Sequence, residues 1–134
     1  MRAVELAAKD AGDGEPWQVS KVYWTAVPKE LMFERLQEFK DAPDNPFKDV
    51  KTVDDLPFGT KAEDIAAAIE GTAYLPAKVA AMRAHASQIA ADDWLFKVAE
   101  MGGESVETFT LGYGERGETD ARGWETDLFA GLEA

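Results

Sequence analysis

The side chains of this sequence that could do chemistry are few, and they form no recognised catalytic set. His85 is the only histidine and there is no cysteine. Zinc sites built from several imidazoles, and nucleophilic arrangements supported by a second histidine, therefore lack their ligands or bases. His85 falls at the edge of an apolar stripe, which favours an imidazole bonded to a backbone carbonyl at a packing boundary over one that faces a substrate.

Two aspartate pairs, Asp54-Asp55 and Asp92-Asp93, could offer oxygen ligands to a hard cation. Neither pair has the D-x-D-x-D-G spacing of a calcium loop. Solvated loop carboxylates and helix caps account for both pairs, so the sequence predicts no metal site.

Residues 112–117 match the G-x-G-x-x-G pattern of a dinucleotide-binding turn and follow a predicted strand. That motif needs a following helix whose amides receive the pyrophosphate, and then a second strand. Residues 118–134 are acidic and glycine-rich and leave no room for either. The pattern predicts instead a turn that leads into a surface tail, residues 112–134.

The four tryptophans are numerous for a chain of this length, and they predict a filled core or interface rather than stacking on a base or sugar. An exposed aromatic patch is the alternative. The four tryptophans are Trp17, Trp24, Trp94 and Trp124.

Length and charge restrict the class of protein. With 134 residues, 46% of them hydrophobic, the chain predicts a single domain or domain fragment, residues 1–134. The 26 acidic against 14 basic residues give a net charge of -12, which opposes binding to nucleic acid or anionic membrane. The absence of cysteine and of an apolar run long enough to span a bilayer predicts a cytoplasmic protein.

Periodicity predicts a mixture of helices and strands. Helical spacing of apolar residues indicates helices at residues 2–11, 29–40 and 74–91. The last of these places Leu75, Val79, Met82, Ala86 and Ile89 on one core-facing stripe. Strands are predicted at residues 17–27, at 63–70 and from Val106 onward, and a short apolar run covers residues 95–101.

Residues 41–59 contain Pro43, Pro46 and Pro57 together with five aspartates, which is typical of an irregular surface loop. A loop of this length in a compact domain has a binding or covering role or is locally disordered. If it is ordered, Phe47 and Phe58 are its expected anchors.

Five stretches resemble, in the same order, the C-terminal portion of the LmbE-like zinc-dependent deacetylases. The branch they resemble most deacetylates N-acetylglucosaminyl-inositol in mycothiol biosynthesis. The most specific matches are Leu-Pro-Phe-Gly at 56–59 and the run at 77–89. The five stretches are residues 1–8, 21–25, 56–59, 77–89 and 125–132.

This resemblance implies an α/β chain, the C-terminal part of a Rossmann-like LmbE-type fold without its N-terminal metal-binding half. The family holds zinc with Ala-His-Pro-Asp-Asp-Glu and Gly-His-Pro-Asp-His motifs, and neither occurs here. The implied reaction is attack of zinc-activated water on an acetamide, so no catalytic or metal residue carries over. His85, Phe58 and Trp24 are the residues expected to shape a sugar pocket.

Two explanations fit the missing motifs. The chain is a fragment or split product of a deacetylase that is inactive alone, or it is a non-catalytic interaction module of the same descent. We expect no cofactor in this chain, although the parent family uses zinc. The expected partners are a complementing N-terminal chain, or a second copy bound through the exposed edge of the strand at residues 17–27.

Overall fold

A computed structural model describes residues 1–9, 12–38, 40–41, 47–93, 96 and 105–132. Trp94, Phe39 and most of the apolar run at 95–101 lie outside the described residues. The described chain mixes helices with a small antiparallel sheet. Its elements are α1 (Arg2–Ala7), β1 (Val22–Ala26), α2 (Lys29–Glu38), β2 (Ala67–Glu70), α3 (Leu75–Ala84) and β3 (Val106–Tyr113).

The chain divides into two compact units. The first comprises residues 1–68 and 108–134, and the second comprises residues 69–107. Within the part of the chain that the structure describes, no helix is long and apolar enough to cross a membrane.

The three strands lie in the order β1-β3-β2, so the last strand in sequence occupies the centre of the sheet. β1 pairs antiparallel with β3, with Tyr23 opposite Leu111 and Trp24 opposite Thr110. The predicted strand at 17–27 is too long, because residues 15–21 are not in a strand. Trp17 instead donates its backbone N–H to the Ala7 carbonyl at 2.8 Å.

The core of the first unit lies around the start of β2. Ile65, Ala66, Ala67 and Ala68 are all at most 4% exposed. The strand prediction at 63–70 is confirmed for Ala67–Glu70, although the alanine run favours a helix on propensity alone, because burial and sheet pairing outweigh propensity. The residues before it, Ala62–Asp64, form a 3-10 turn.

The helices are shorter than the sequence predicts at their C-terminal ends. α1 ends at Ala7, and α2 ends at Glu38, close to the predicted boundary. α3 ends at Ala84 because the next residue, His85, leaves helical geometry with ψ 36. Ala86 of the predicted stripe is therefore outside the helix and exposed, whereas Leu75, Val79 and Met82 are half-buried.

The described part of the predicted loop 41–59 belongs to the first unit and is packed within it. A 3-10 turn at Val53–Asp55 is capped by Asp55, whose Oδ2 accepts the Thr52 N–H at 2.8 Å. Leu56, immediately after the turn, is 2% exposed. The rings of Phe47 and Phe58 meet edge to face with centroids 5.6 Å apart, as predicted for the ordered case.

The second unit contains α3 and the start of β3. Gly71 donates to the Ser105 carbonyl at 2.7 Å, and the Ser105 N–H donates to Thr72 Oγ1 at 2.8 Å. Phe96 is 5% exposed, with the Arg83 guanidinium 5.4 Å from its ring centroid. The bonds of Gly71 and Thr72 to Ser105 connect the end of β2 to the start of β3.

Candidate functional site

Trp24 stands on the open strand of the sheet and not in a core. It is the third residue of β1 and is 54% exposed, and Trp17 is 71% exposed, so neither fills a core; an interface role for these two stays a prediction, as does an exposed aromatic patch. The Trp24 indole lies against Gly112 on β3. A Cβ at Gly112 would overlap Trp24 Nε1 and lie 2.7 Å from Trp24 Cδ1. The first glycine of the G-x-G-x-x-G pattern therefore makes room for an indole.

Phe58 lies in the same unit as Trp24 and is 44% exposed. Its described ring contact is with Phe47, so it anchors the loop as well as facing solvent. The next residue, Gly59, has φ 100, and its position against Val27 and Lys29 fixes the loop end beside the start of α2.

His85 belongs to the second unit. Its backbone, rather than its imidazole, makes the local bonds: the N–H donates to the Met82 carbonyl at 3.1 Å, and the carbonyl accepts from Gln88 and Ile89 at 2.8 and 2.9 Å. The side chain is exposed. The imidazole bond to a backbone carbonyl that the sequence favoured stays a prediction, as does contact with a substrate.

The most concentrated polar site of the first unit was not predicted and centres on Glu125. Its side chain is fully buried, and its Oε1 accepts from Lys21 Nζ and from the Gly117 N–H, both at 2.6 Å. Its Oε2 accepts from Tyr23 Oη at 2.6 Å. Lys21 Nζ also donates to the Ala130 carbonyl at 2.6 Å, and its side chain is 6% exposed. A buried carboxylate and ammonium are tolerated here because each is paired and hydrogen-bonded.

Glu125 is buried within the predicted surface tail, in which most of the other described residues are exposed. The turn at residues 114–118 leads into a segment that returns to the sheet, and residues 118–132 contain no helix. The Glu125 N–H donates to the Ala66 carbonyl and its own carbonyl accepts from Ala68, both at 2.9 Å. The G-x-G-x-x-G pattern therefore serves packing, and the absence of a following helix agrees with the rejection of a nucleotide site.

For the Glu125–Lys21 pair, hydrogen bonding outweighs the effect of burial on the pKa of each group. Burial pushes the pKa of Glu125 up, but bonds from Lys21, Tyr23 and the Gly117 N–H outweigh it and hold that pKa below the usual value. Burial pushes the pKa of Lys21 down, yet the bond to Glu125 raises it above its ordinary value. The pKa of Tyr23 is raised, first by burial and then by its bond to Glu125. The pair is therefore ionised, and Tyr23 protonated, at neutral pH.

The free energy of unfolding is expected to fall at both ends of the pH range. The Glu125 contribution is present above the unfolded-state pKa and is lost as pH falls through the lowered folded-state pKa. The Lys21 and Tyr23 contributions are present below their unfolded-state pKa values and are lost as pH rises through the raised ones. Urea unfolding of the natural chain and of Glu125→Gln should show a stability difference that shrinks in acid. A difference constant from neutral to strongly acidic pH would contradict this assignment.

Two open clefts lie on the first unit. One, of about 510 Å³, borders the network and is lined by residues that include Gln18, Lys21, Tyr113, Arg116 and Ala130. The other, of about 750 Å³, lies beside the start of α2 and is lined in part by Lys29, Asp54 and Glu63. Neither Trp24 nor Phe58 lines either cleft, and contact of these two residues with a substrate stays a prediction.

Comparison with known proteins decides the family. No family model matches the sequence. Several curated relatives have the name 1D-myo-inositol 2-acetamido-2-deoxy-alpha-D-glucopyranoside deacetylase. The one from Geodermatophilus obscurus is 43% identical over 139 residues, which cover 98% of this chain and 47% of the relative. This chain belongs to that deacetylase family.

Two further members of the family give the same result. The deacetylase from Salinispora arenicola is 43% identical over 136 residues, covering 98% of this chain and 42% of the relative. The one from Mycolicibacterium smegmatis is 42% identical over 137 residues, covering 98% and 45%. The chain thus spans a little under half the length of these deacetylases, and it corresponds to their C-terminal portion, as the motifs indicated.

The zinc that the deacetylase family implies does not fit the donors of this chain. The sequence offers one histidine and no cysteine. Among the described residues, no three His, Cys, Asp or Glu side chains come together as a metal-binding group. Glu125, the one deeply buried carboxylate among the residues described, is bonded to Lys21, Tyr23 and Gly117. No step of the reaction is therefore assigned to a metal held by these residues.

Proposed function

We propose that this chain is the C-terminal part of a deacetylase that removes acetate from 1D-myo-inositol 2-acetamido-2-deoxy-α-D-glucopyranoside. The observation that carries the proposal is the 43% identity to a relative of that name over 98% of the chain. The chain forms the C-terminal part of a Rossmann-like fold, and the other part of that fold supplies the zinc ligands and the catalytic base. Alone, the chain is inactive.

The contribution of this chain to the assembled site is contact with the sugar or the cyclitol. Trp24 and Phe58 supply exposed aromatic surface, and His85 supplies an exposed imidazole. Aromatic faces and single polar groups are the usual lining of small-molecule sites. All three residues act by binding, and none carries the hydrolytic step.

Complementation tests this proposal. This chain would be mixed with a polypeptide comprising the part of the Geodermatophilus obscurus deacetylase that it does not match, and acetate release from the named substrate would be measured. We expect no turnover from either polypeptide alone and turnover from the mixture. Hydrolysis by this chain alone, or a stable complex without turnover, would contradict the proposal. The second result would favour the non-catalytic interaction module.

We propose further that the open edge of β1 receives a strand from the complementing polypeptide. β1 is terminal in the sheet order, and its second edge has no strand partner among the described residues. Its sequence, Val-Tyr-Trp-Thr-Ala, contains none of the charges that usually protect an edge from pairing. Trp24 and Val27 are 54% and 46% exposed beside it.

Without its partner, the chain should pair this edge with a second copy. We expect light scattering to show a dimer or larger species. Thr25→Lys, which places a charge on β1, should shift the population toward monomer. Ser87→Lys is the matched control, because Ser87 is exposed outside the sheet and the change in net charge is the same. A monomeric natural chain at high concentration, or equal effects of both substitutions, would refute self-pairing through β1.

A further inference from the structure

Glu125 joins the two outer strands of the sheet. Its backbone pairs with the outer edge of β2 through Ala66 and Ala68, forming a parallel bridge opposite Ala67. Its carboxylate is bonded to Lys21, immediately before β1, and to Tyr23 within β1. Because β3 lies between β1 and β2, the hydrogen bonds of this one residue connect both outer strands of the sheet.

The rest of the C-terminal segment, residues 119–132, has few other bonds to the sheet. Most of its described hydrogen bonds close local turns. The Asp120 N–H donates to the Trp124 carbonyl at 2.8 Å, and the Ala130 N–H donates to the Asp127 carbonyl at 3.1 Å. Its one other described bond to the β1 side is the Lys21–Ala130 contact. The lysine in that contact is the ion-pair partner of Glu125.

Apolar burial holds the segment only in part, with Leu128 half-buried. Phe129 is 75% exposed and Leu132 is 38% exposed. Trp124 is half-buried, but its ring is stacked by Arg122, 4.4 Å from the centroid and within the segment itself. A segment attached mainly by one polar cluster can open without unfolding the strands beneath it.

We propose that residues 119–132 form a releasable strap, and that the Glu125 side chain is the latch that keeps it on the sheet. When the latch is broken, the strap opens locally and the β1–β3 ladder stays paired. Opening frees the Ala68 N–H and the Ala66 carbonyl and uncovers the outer edge of β2. The device therefore controls whether this second sheet edge can pair with another strand.

Hydrogen–deuterium exchange of the whole chain tests the latch. Glu125→Gln keeps the side-chain size but removes the charge that pairs with Lys21. We expect peptides within residues 119–132 to exchange at least about tenfold faster, because a hydrogen bond to a charged group contributes a factor of about ten or more. Peptides within residues 106–113 should change less than about twofold. Glu118→Gln, on an exposed residue of the same region, is the control and should change neither.

Two outcomes would overturn the proposal. Equal acceleration in residues 106–113 and 119–132 would show that Glu125 supports the whole unit, and unchanged exchange in both would show that the strap is held by other contacts. If Glu125→Gln does not fold, Tyr23→Phe removes one 2.6 Å bond and leaves the ion pair. That variant should accelerate exchange in the strap alone, by about tenfold or more because this bond too is to a charged group, and a uniform or absent effect would refute the latch.

Discussion

Lys21→Met is expected to lower the free energy of unfolding by about 3 to 5 kcal/mol, the usual cost of removing one partner from a buried ion pair. The Glu125 carboxylate is fully buried, and the Lys21 ammonium 2.6 Å away neutralises it. Methionine retains the length and apolar stem of lysine but leaves the carboxylate bonded only to Tyr23 and the Gly117 N–H. Urea denaturation followed by circular dichroism measures the loss.

An exposed lysine of the same unit provides the control. Lys61 and Glu63 lie 3.6 Å apart with side chains 71% and 74% exposed, and such a pair contributes about 0 to 1 kcal/mol. Lys61→Met should therefore have little effect. Combining Lys21→Met with Glu125→Leu should recover part of the loss, because no buried charge is left without a partner. Equal losses for Lys21→Met and Lys61→Met would refute the importance of the buried pair.

Local patterns in the sequence predicted where the named helices and strands of the described chain lie, because most of them have a regular apolar spacing or a β-branched run; β2 is the exception, since its alanines favour a helix. Pro28 precedes α2 at the predicted boundary, and Val106 begins β3 as the alternation indicated. The family was also predictable, because the order of short matching stretches survives even where no metal motif remains. The order of these stretches along the chain indicates the family without any information on which residues contact each other.

Element ends were less predictable, because they depend on contacts distant in sequence. Residues 17–21 include the strand-forming types Trp17 and Val19, but the Trp17 N–H bonds to Ala7 and the Lys21 side chain bonds to Glu125. Helix α3 ends where the carbonyl of His85 accepts two turn N–H groups. Apolar periodicity continues past both points and carries no signal that the backbone has changed direction.

The Glu125 network could not be predicted from composition. Glu125 lies in an acidic, glycine-rich stretch in which nearly every carboxylate is solvated, and its partner Lys21 is 104 residues away in the sequence. One signal was present: Glu125 begins the stretch at residues 125–132 that resembles the deacetylases, and it directly follows Trp124. An acidic residue in that position indicates a buried role more than its acidic neighbours do.

Gly117→Ala is expected to lower the free energy of unfolding by about 1 to 3 kcal/mol, the usual range for overpacking. A Cβ at Gly117 would overlap the Ala130 carbonyl and lie 2.7 Å from Ala130 Cβ. Backbone atoms cannot rotate away, so the strap must move, and the bond from the Gly117 N–H to Glu125 weakens with it. Thermal or urea unfolding of the variant measures the loss.

Gly123→Ala separates packing from backbone strain. Gly123 has φ 80 and no atom within 4 Å of an added Cβ, so alanine there costs only the strain of a left-handed conformation, about 1 kcal/mol. Strap exchange should accelerate more in Gly117→Ala than in Gly123→Ala, because the first substitution pushes Ala130 away from Lys21 and the second adds only backbone strain. If Gly117→Ala causes no loss of stability, the close approach of Ala130 does not require glycine at the last position of the G-x-G-x-x-G pattern.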